Sequence, residues 1–247
     1  RVVCSISGCY CFVHQSTTIC VIVVPHERGV CGGVDETPAH FQSKTFTTGG
    51  EGGMVTTDDR RMAERIRRLS MHGLSRDAWK RYTHAGSWRY DIVEVGYKYN
   101  MTDIAAGLGL AQLSKFRAMQ ARRRALARRY SRLLAVCDAF DFPVDSRGSA
   151  HAWHLYILRL RPRTLRIGRD AIIEALRERG IGTSVHFIPL HTHSFYRKRF
   201  GYRKGAFPIA ERESARAISL PLYPGLSDQD QDRVIEALLD LAARNKR

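Results

Sequence analysis

The chain has 247 residues, a 44% apolar share and a formal net charge of +16. That length allows one or two domains with a real core, and the apolar share is ordinary for a soluble protein. The charge favours anionic partners, yet the basic residues read as dispersed (Arg60-Arg61, Arg65, Arg67-Arg68, Arg122-Arg123-Arg124). The sequence shows no aromatic-interleaved RNA motif, zinc finger or recognition-helix pattern, which places nucleic acid below a small phosphorylated ligand.

Residues 1–40 form an atypical leader. Arg1 and Arg28 are its basic residues, and Glu27, Asp35 and Glu36 its acidic ones, so almost all the charge lies further on. Five of the six cysteines fall here, without the paired spacing of zinc ligands. The expectation is no metal site, a reducing cytoplasmic setting and no membrane partner. The apolar run is interrupted by His14 to Thr18, so it reads as neither signal peptide nor membrane span. The β-branched stretch Thr17 to Val24, ended by Pro25, predicts a buried strand.

Phe41 to Thr57 reads FQSKTFTTGGEGGMVTT. Its glycines permit close backbone approach and positive φ. A lysine in such a stretch, here Lys44, suits Schiff-base chemistry with a carbonyl compound. On residue types alone, a surface lysine beside a Gly-rich turn is the favoured reading. Asp58 to His72 predicts a helix, capped by Asp58-Asp59, striped by Met62, Ile66 and Leu69 and ended by Gly73. Leu74 to Tyr90 predicts a long loop, whose Trp79, Tyr82 and Trp88 suit packing or substrate contact.

Thr102-Asp103 open a long helix whose apolar positions run from Leu113 through Phe116, Met119, Leu126 and Tyr130 to Leu133. Beyond Phe142-Pro143 a small α/β domain is expected. Its strands are Trp153 to Leu160 and Thr183 to Ile188. Its helices are Arg169 to Arg179, Phe195 to Phe200, Ala210 to Ser219 and Ser227 to Leu241, the last capped by Ser227-Asp228. His151 and His154 do not suit a metal, because side chains three apart on a strand point to opposite faces.

Six blocks carry a family resemblance: KTFTTGGEGGMVTTDD (44–59), MHGLSRDAWKRY (71–82), DIVEVGYKYNMTDIAA (91–106), HAWHLY (151–156), GIGTSVHFIPLH (180–191) and SLPLYPGLS (219–227). In this order they resemble the DegT/StrS-type nucleotide-sugar aminotransferases, fold-type I enzymes that use pyridoxal 5′-phosphate, over about four-fifths of the chain. The resemblance implies an α/β fold with a partial PLP-transferase fold type I large domain, a long linking helix and a small C-terminal α/β domain. The implied divisions are residues 1–40, a scrambled leader or remnant of the large domain; 41–140, the end of the cofactor-binding large domain with the linking helix; and 141–247, the small domain.

Lys44 then matches the lysine that holds the cofactor. Asn100 matches the asparagine that reaches its phosphate in the neighbouring subunit, and His186 in the VHF segment is the substrate-contact candidate. The implied reaction moves an amino group from glutamate, leaving 2-oxoglutarate, to a keto nucleotide-sugar in amino-sugar, polysaccharide or lipopolysaccharide synthesis. A cytoplasmic homodimer is implied, without nucleic acid. The sequence departs from the family at Ala39, where a serine is usual, and at the extra glycine of Gly49-Gly50. The family's phosphate-binding glycine turn, ring-stacking aromatic and pyridine-pairing aspartate have no clear counterparts before Lys44; Asp35 is a relic at the wrong spacing. This predicts a truncated or frame-disturbed product. Two readings stand beside the enzyme: a catalytically inert remnant of the family, and a basic nucleic-acid-binding protein.

Overall fold

The structure is a computed structural model, and it describes residues 21–24, 39–40, 47–49, 53–57, 59–75, 90–144 and 151–247. The chain divides into two compact units within its longest helix, one up to Arg117 and one from Ala118.

In the first unit β1 (Val21–Val24) runs parallel to β3 (Gly53–Thr56), pairing Val21 with Gly53 and Val24 with Thr56. On the other edge of β3, β2 (Ala39–His40) lies antiparallel, giving the order β1-β3-β2. The expected strand Thr17 to Val24 is thus seen in its last four residues; 17–20 lie outside the described residues. Helix α1 (Arg60–Leu69) starts where its cap predicts. The Asp59 carboxylate accepts from Arg61 N at 2.7 Å and Met62 N at 3.2 Å, satisfying two backbone donors that the first turn leaves open. Ala63 is its buried residue, packed with Val55, Ile66 and Tyr99. Gly73, at φ +71°, returns its N–H to Arg68 O and ends the turn.

Helix α2 (Asp103–Leu134) has the predicted start, with Thr102 Oγ1 accepting from Ala105 N at 3.3 Å. Its C-terminal half supplies Ala127, Tyr130 and Leu134 to the core of the second unit. There β4 (Phe140–Asp141), β5 (Tyr156–Leu160) and β6 (Ala217–Leu220) form an antiparallel sheet in the order β4-β5-β6. Tyr156 and Leu158 of β5 and Ile218 of β6 meet Ile172 and Leu176 of α3 (Arg169–Glu178) and Leu238 of α6 (Asp228–Arg244). The Ser227 cap of α6 is as expected, its Oγ accepting from Asp230 N at 2.9 Å. A short α4 (Ser194–Phe200) and an α5 (Pro208–Arg216) complete the unit.

Three sequence expectations are corrected here. The strand expected from Trp153 begins at Tyr156, because Trp153 takes φ +46°, a left-handed conformation that no strand continues. Thr183 to Ile188 makes one isolated bridge, Ser184 with Ser219, rather than a ladder. The helix expected over Ala210 to Ser219 stops at Arg216, and Ala217–Leu220 is a strand buried at every position. A strand covered on both faces reads as a continuous apolar run and loses its alternation.

Candidate functional site

Lys44, like Trp79, Tyr82 and Trp88, lies outside the described residues. The residues that follow Lys44 are described from Thr47. Gly49 N donates to Thr47 Oγ1 at 3.1 Å, and Gly49 sits at φ +84°. A Cβ there would come within 2.8 Å of Leu108 Cδ2. Thr48 is buried, and a Cβ on Gly109 would approach its Cγ2 to 3.2 Å. The turn after Lys44 is therefore seated against the second turn of α2, and two glycines allow that approach.

Asn100 stands three residues before α2 and is half-buried. A backbone knot fixes the segment leading to it. His72 N donates to Tyr97 O at 2.8 Å, Tyr97 N to Leu69 O at 2.5 Å and Tyr99 N to Ser70 O at 2.8 Å. The chains cross at two glycines: a Cβ on Gly96 would lie 2.1 Å from Gly73 N, and one on Gly73 would lie 1.7 Å from Glu94 O. Glu94 adds ion pairs to Arg65 at 3.2 Å and Arg68 at 3.1 Å, and the Tyr97 and Tyr99 rings stack at 4.7 Å. Lys44's downstream turn and Asn100's helix thus meet although the touching residues are about sixty positions apart in sequence.

His186 belongs to the second unit. Its Nδ1 shares a hydrogen bond of 2.8 Å with Ser219 Oγ on β6, and its ring meets Phe187 edge-on at 4.8 Å. With Nδ1 held, the ring orientation is set and only Nε2 is left to meet another molecule. Sequence pattern misses Ser219, because it places that residue at the end of a helix and not on a strand. Two other histidines have structural work. His151 Nδ1 accepts from Trp153 N at 2.9 Å, and buried His191 pairs its Nε2 with Glu211 at 2.8 Å. Among the described residues no group of three His, Cys, Asp or Glu side chains is placed to hold a metal.

Around the sheet of the second unit, α2 side chains brace two loops. Arg123 donates to Leu222 O at 2.8 Å and Trp153 O at 3.4 Å, Gln120 to His151 O at 3.1 Å, and Tyr130 to Pro221 O at 3.0 Å. Burial lowers the Arg123 pKa, since the interior disfavours its charge. Burial pushes the Tyr156 hydroxyl up to about 12, against a smaller opposing effect of its hydrogen bond with Ser131. A shallow surface hollow lined by Arg179, Arg233 and Asp240 among others touches none of the predicted site residues; it frames a surface ion pair of 2.7 Å.

The donor set of the first unit suits a phosphorylated ring. It comprises the Asn100 carboxamide just ahead of a helix start and the Thr47 hydroxyl beside Gly49, while Gly49 and Gly109 let the turn pack on Leu108 and Thr48. Comparison with known proteins agrees. The pattern of the DegT/DnrJ/EryC1/StrS aminotransferase family matches residues 28–239. The chain belongs to this family. It is 49% identical over 212 residues to the uncharacterized protein MJ1066 of Methanocaldococcus jannaschii, covering 86% of this chain and 55% of that protein. It is 43% identical over 231 residues to the spore coat polysaccharide biosynthesis protein SpsC of Bacillus subtilis, covering 93% and 59%.

Among solved structures, Spr1654 of Streptococcus pneumoniae in its PMP form superposes with a TM-score of 0.73 at 34% identity, over 85% of this chain and 53% of that one. DesV of S. venezuelae gives 0.72 at 28%, over 87% and 53%. Spr1654 has also been solved in a PLP form. The chain therefore spans a little over half the length of these relatives. Its fold is the α/β, partial aminotransferase fold that the sequence blocks imply.

Proposed function

We propose that the chain acts as a pyridoxal 5′-phosphate-dependent sugar aminotransferase, passing an amino group from glutamate to a keto nucleotide-sugar for polysaccharide synthesis. The cytoplasmic homodimer is part of the same proposal. The supporting observation is that the turn following Lys44 packs against the helix that Asn100 precedes, inside a family match covering 28–239. SpsC carries the polysaccharide role in its name.

The cofactor, when bound, supplies an electron sink for deprotonation beside the transferred nitrogen. Lys44 Nζ would hold it and, once displaced by the amino donor, carry the proton removed from the donor's Cα. Asn100 Nδ2 would donate to a phosphate oxygen of the cofactor held by the neighbouring subunit, in keeping with its place just before α2. His186 Nε2 would face the sugar, its ring already oriented through Ser219.

The test is titration of the purified chain with pyridoxal phosphate, followed by borohydride reduction and peptide mapping. Label on the peptide containing Lys44, absent from Lys44→Ala, is the expected result. Asn100→Ala should weaken cofactor affinity about tenfold or more, as loss of one charge-assisted hydrogen bond does. Label scattered over surface lysines would overturn the proposal.

A further inference from the structure

We propose that the segment from Leu190 to Ile209 is a peripheral docking surface for an anionic phospholipid bilayer. No acidic residue occurs between Glu178 and Glu211. Within that interval Arg197, Lys198, Arg199, Arg203 and Lys204 are all exposed, and none forms an ion pair with a described residue. Interleaved with them are apolar side chains that face water: Leu190 at 64% exposure, Phe195 at 66%, Phe200 at 57% and Ile209 at 68%.

The surface is a built one. Gly201, at φ +70°, ends α4 and turns the chain back. Tyr202 then packs inward on Phe207, with ring centres 5.4 Å apart, and on His191 at 6.4 Å. Glu211 closes the base, accepting from Gly205 N with both oxygens at 2.9 and 3.1 Å and meeting His191 on its inner side. Hydrogen bonding to His191, aided by the backbone donors, holds the Glu211 carboxyl below the usual range. It faces inward, and among the described residues no carboxylate pairs with the five outer cations.

The chemistry selects the partner. Nucleic acid rewards cations and planar rings, but exposed Leu190 and Ile209 add nothing to base stacking. A second copy would set five like charges against five across a two-fold axis. A small anion would want an enclosing cavity, whereas these five cations are spread on an exposed surface. A bilayer interface rewards both halves together, apolar side chains entering the headgroup boundary and cations meeting acidic lipid. The contact is peripheral, as no helix among the described residues is long and apolar enough to cross a membrane.

The experiment is flotation of the full chain with vesicles of phosphatidylcholine alone or with 30% phosphatidylglycerol, at about 50 and 500 mM salt. Binding to the acidic vesicles at low salt, absent from neutral vesicles and lost at high salt, is expected. Each cation near such a surface is worth about fivefold in affinity, so Arg197→Gln/Lys198→Gln/Arg199→Gln together should lower it on the order of a hundredfold. Phe195→Ser/Phe200→Ser should weaken it further at equal charge. These residues are exposed, so thermal melts should match the parent; the salt series on the unsubstituted chain tests the same attraction without any variant. No flotation with acidic vesicles, flotation indifferent to salt, duplex or single-stranded DNA outcompeting the vesicles, or self-association that the Phe195/Phe200 variant abolishes without vesicle binding would each overturn the proposal.

Discussion

Gly96→Ala tests the knot ahead of Asn100. The added Cβ would meet Gly73 N at 2.1 Å, His72 C at 2.6 Å and Leu69 O at 2.7 Å. All three are backbone atoms of the crossing strand, so no rotamer change relieves the contact, and the chains must separate by more than an ångström. The hydrogen bonds most exposed to that separation are His72 N to Tyr97 O, Tyr97 N to Leu69 O and Tyr99 N to Ser70 O. At about 1 kcal/mol each, their loss amounts to roughly 3 kcal/mol. Urea unfolding of the full chain measures the total, and amide exchange of Tyr97 and Tyr99 locates it. Gly107→Ala is the control, since a Cβ there meets nothing within 4 Å in the interior of α2 and should stabilise by about 1 kcal/mol. If Gly96→Ala unfolds within about 1 kcal/mol of the parent and the two amides stay protected, the crossing is not what fixes this segment.

Two further outcomes follow from the second unit. Arg123→Met removes the donor to Leu222 O and Trp153 O while relieving a desolvated charge; the lost donors outweigh the relief, and a net loss of about 2 kcal/mol in thermal unfolding is expected. Asp141 is held below its usual pKa chiefly by its hydrogen bond with Arg161, with Arg216 adding to it. The unfolded chain therefore binds more protons in acid, so this contribution is present above the ordinary aspartate range and is lost as pH falls from that range through the lowered folded pKa. Melting temperature followed from pH 6 to pH 3 should fall less steeply in Asp141→Asn than in the parent.

The helices were legible because their ends carry local chemistry. Asp59, Thr102 and Ser227 bond to the backbone of their own first turns, a relation confined to a few residues of sequence. What sequence could not supply depends on partners far along the chain. Ser219 is a strand residue because β5 and the Ser184 segment flank it, and its hydroxyl meets His186 only once that sheet exists. Trp153 leaves the strand region although its neighbours read as strand, with its carbonyl reached by Arg123 from α2. The seating of Thr48 on Gly109 has a faint signal, a glycine inside an otherwise strong helix, but nothing in the sequence says which loop comes to meet it.

The charge balance illustrates the same limit. Along the sequence the basic residues look evenly dispersed, but folding uses them unequally. Arg122 pairs with Asp228 and Arg129 with Asp232, so part of the basic run on α2 ties that helix to α6. The exposed α2 cations Lys115, Arg117, Arg128 and Arg132 are spread over about 26 Å of helix, at 1.5 Å per residue. Arg197 to Lys204 puts five cations, none ion-paired among the described residues, within eight residues beside Phe195 and Phe200. A net charge of +16 alone argues only for solubility and nonspecific attraction. Its local concentration next to exposed phenylalanines argues for a surface that holds one kind of partner, and it explains why substitutions on α4 should change vesicle binding while equal numbers on α2 should not.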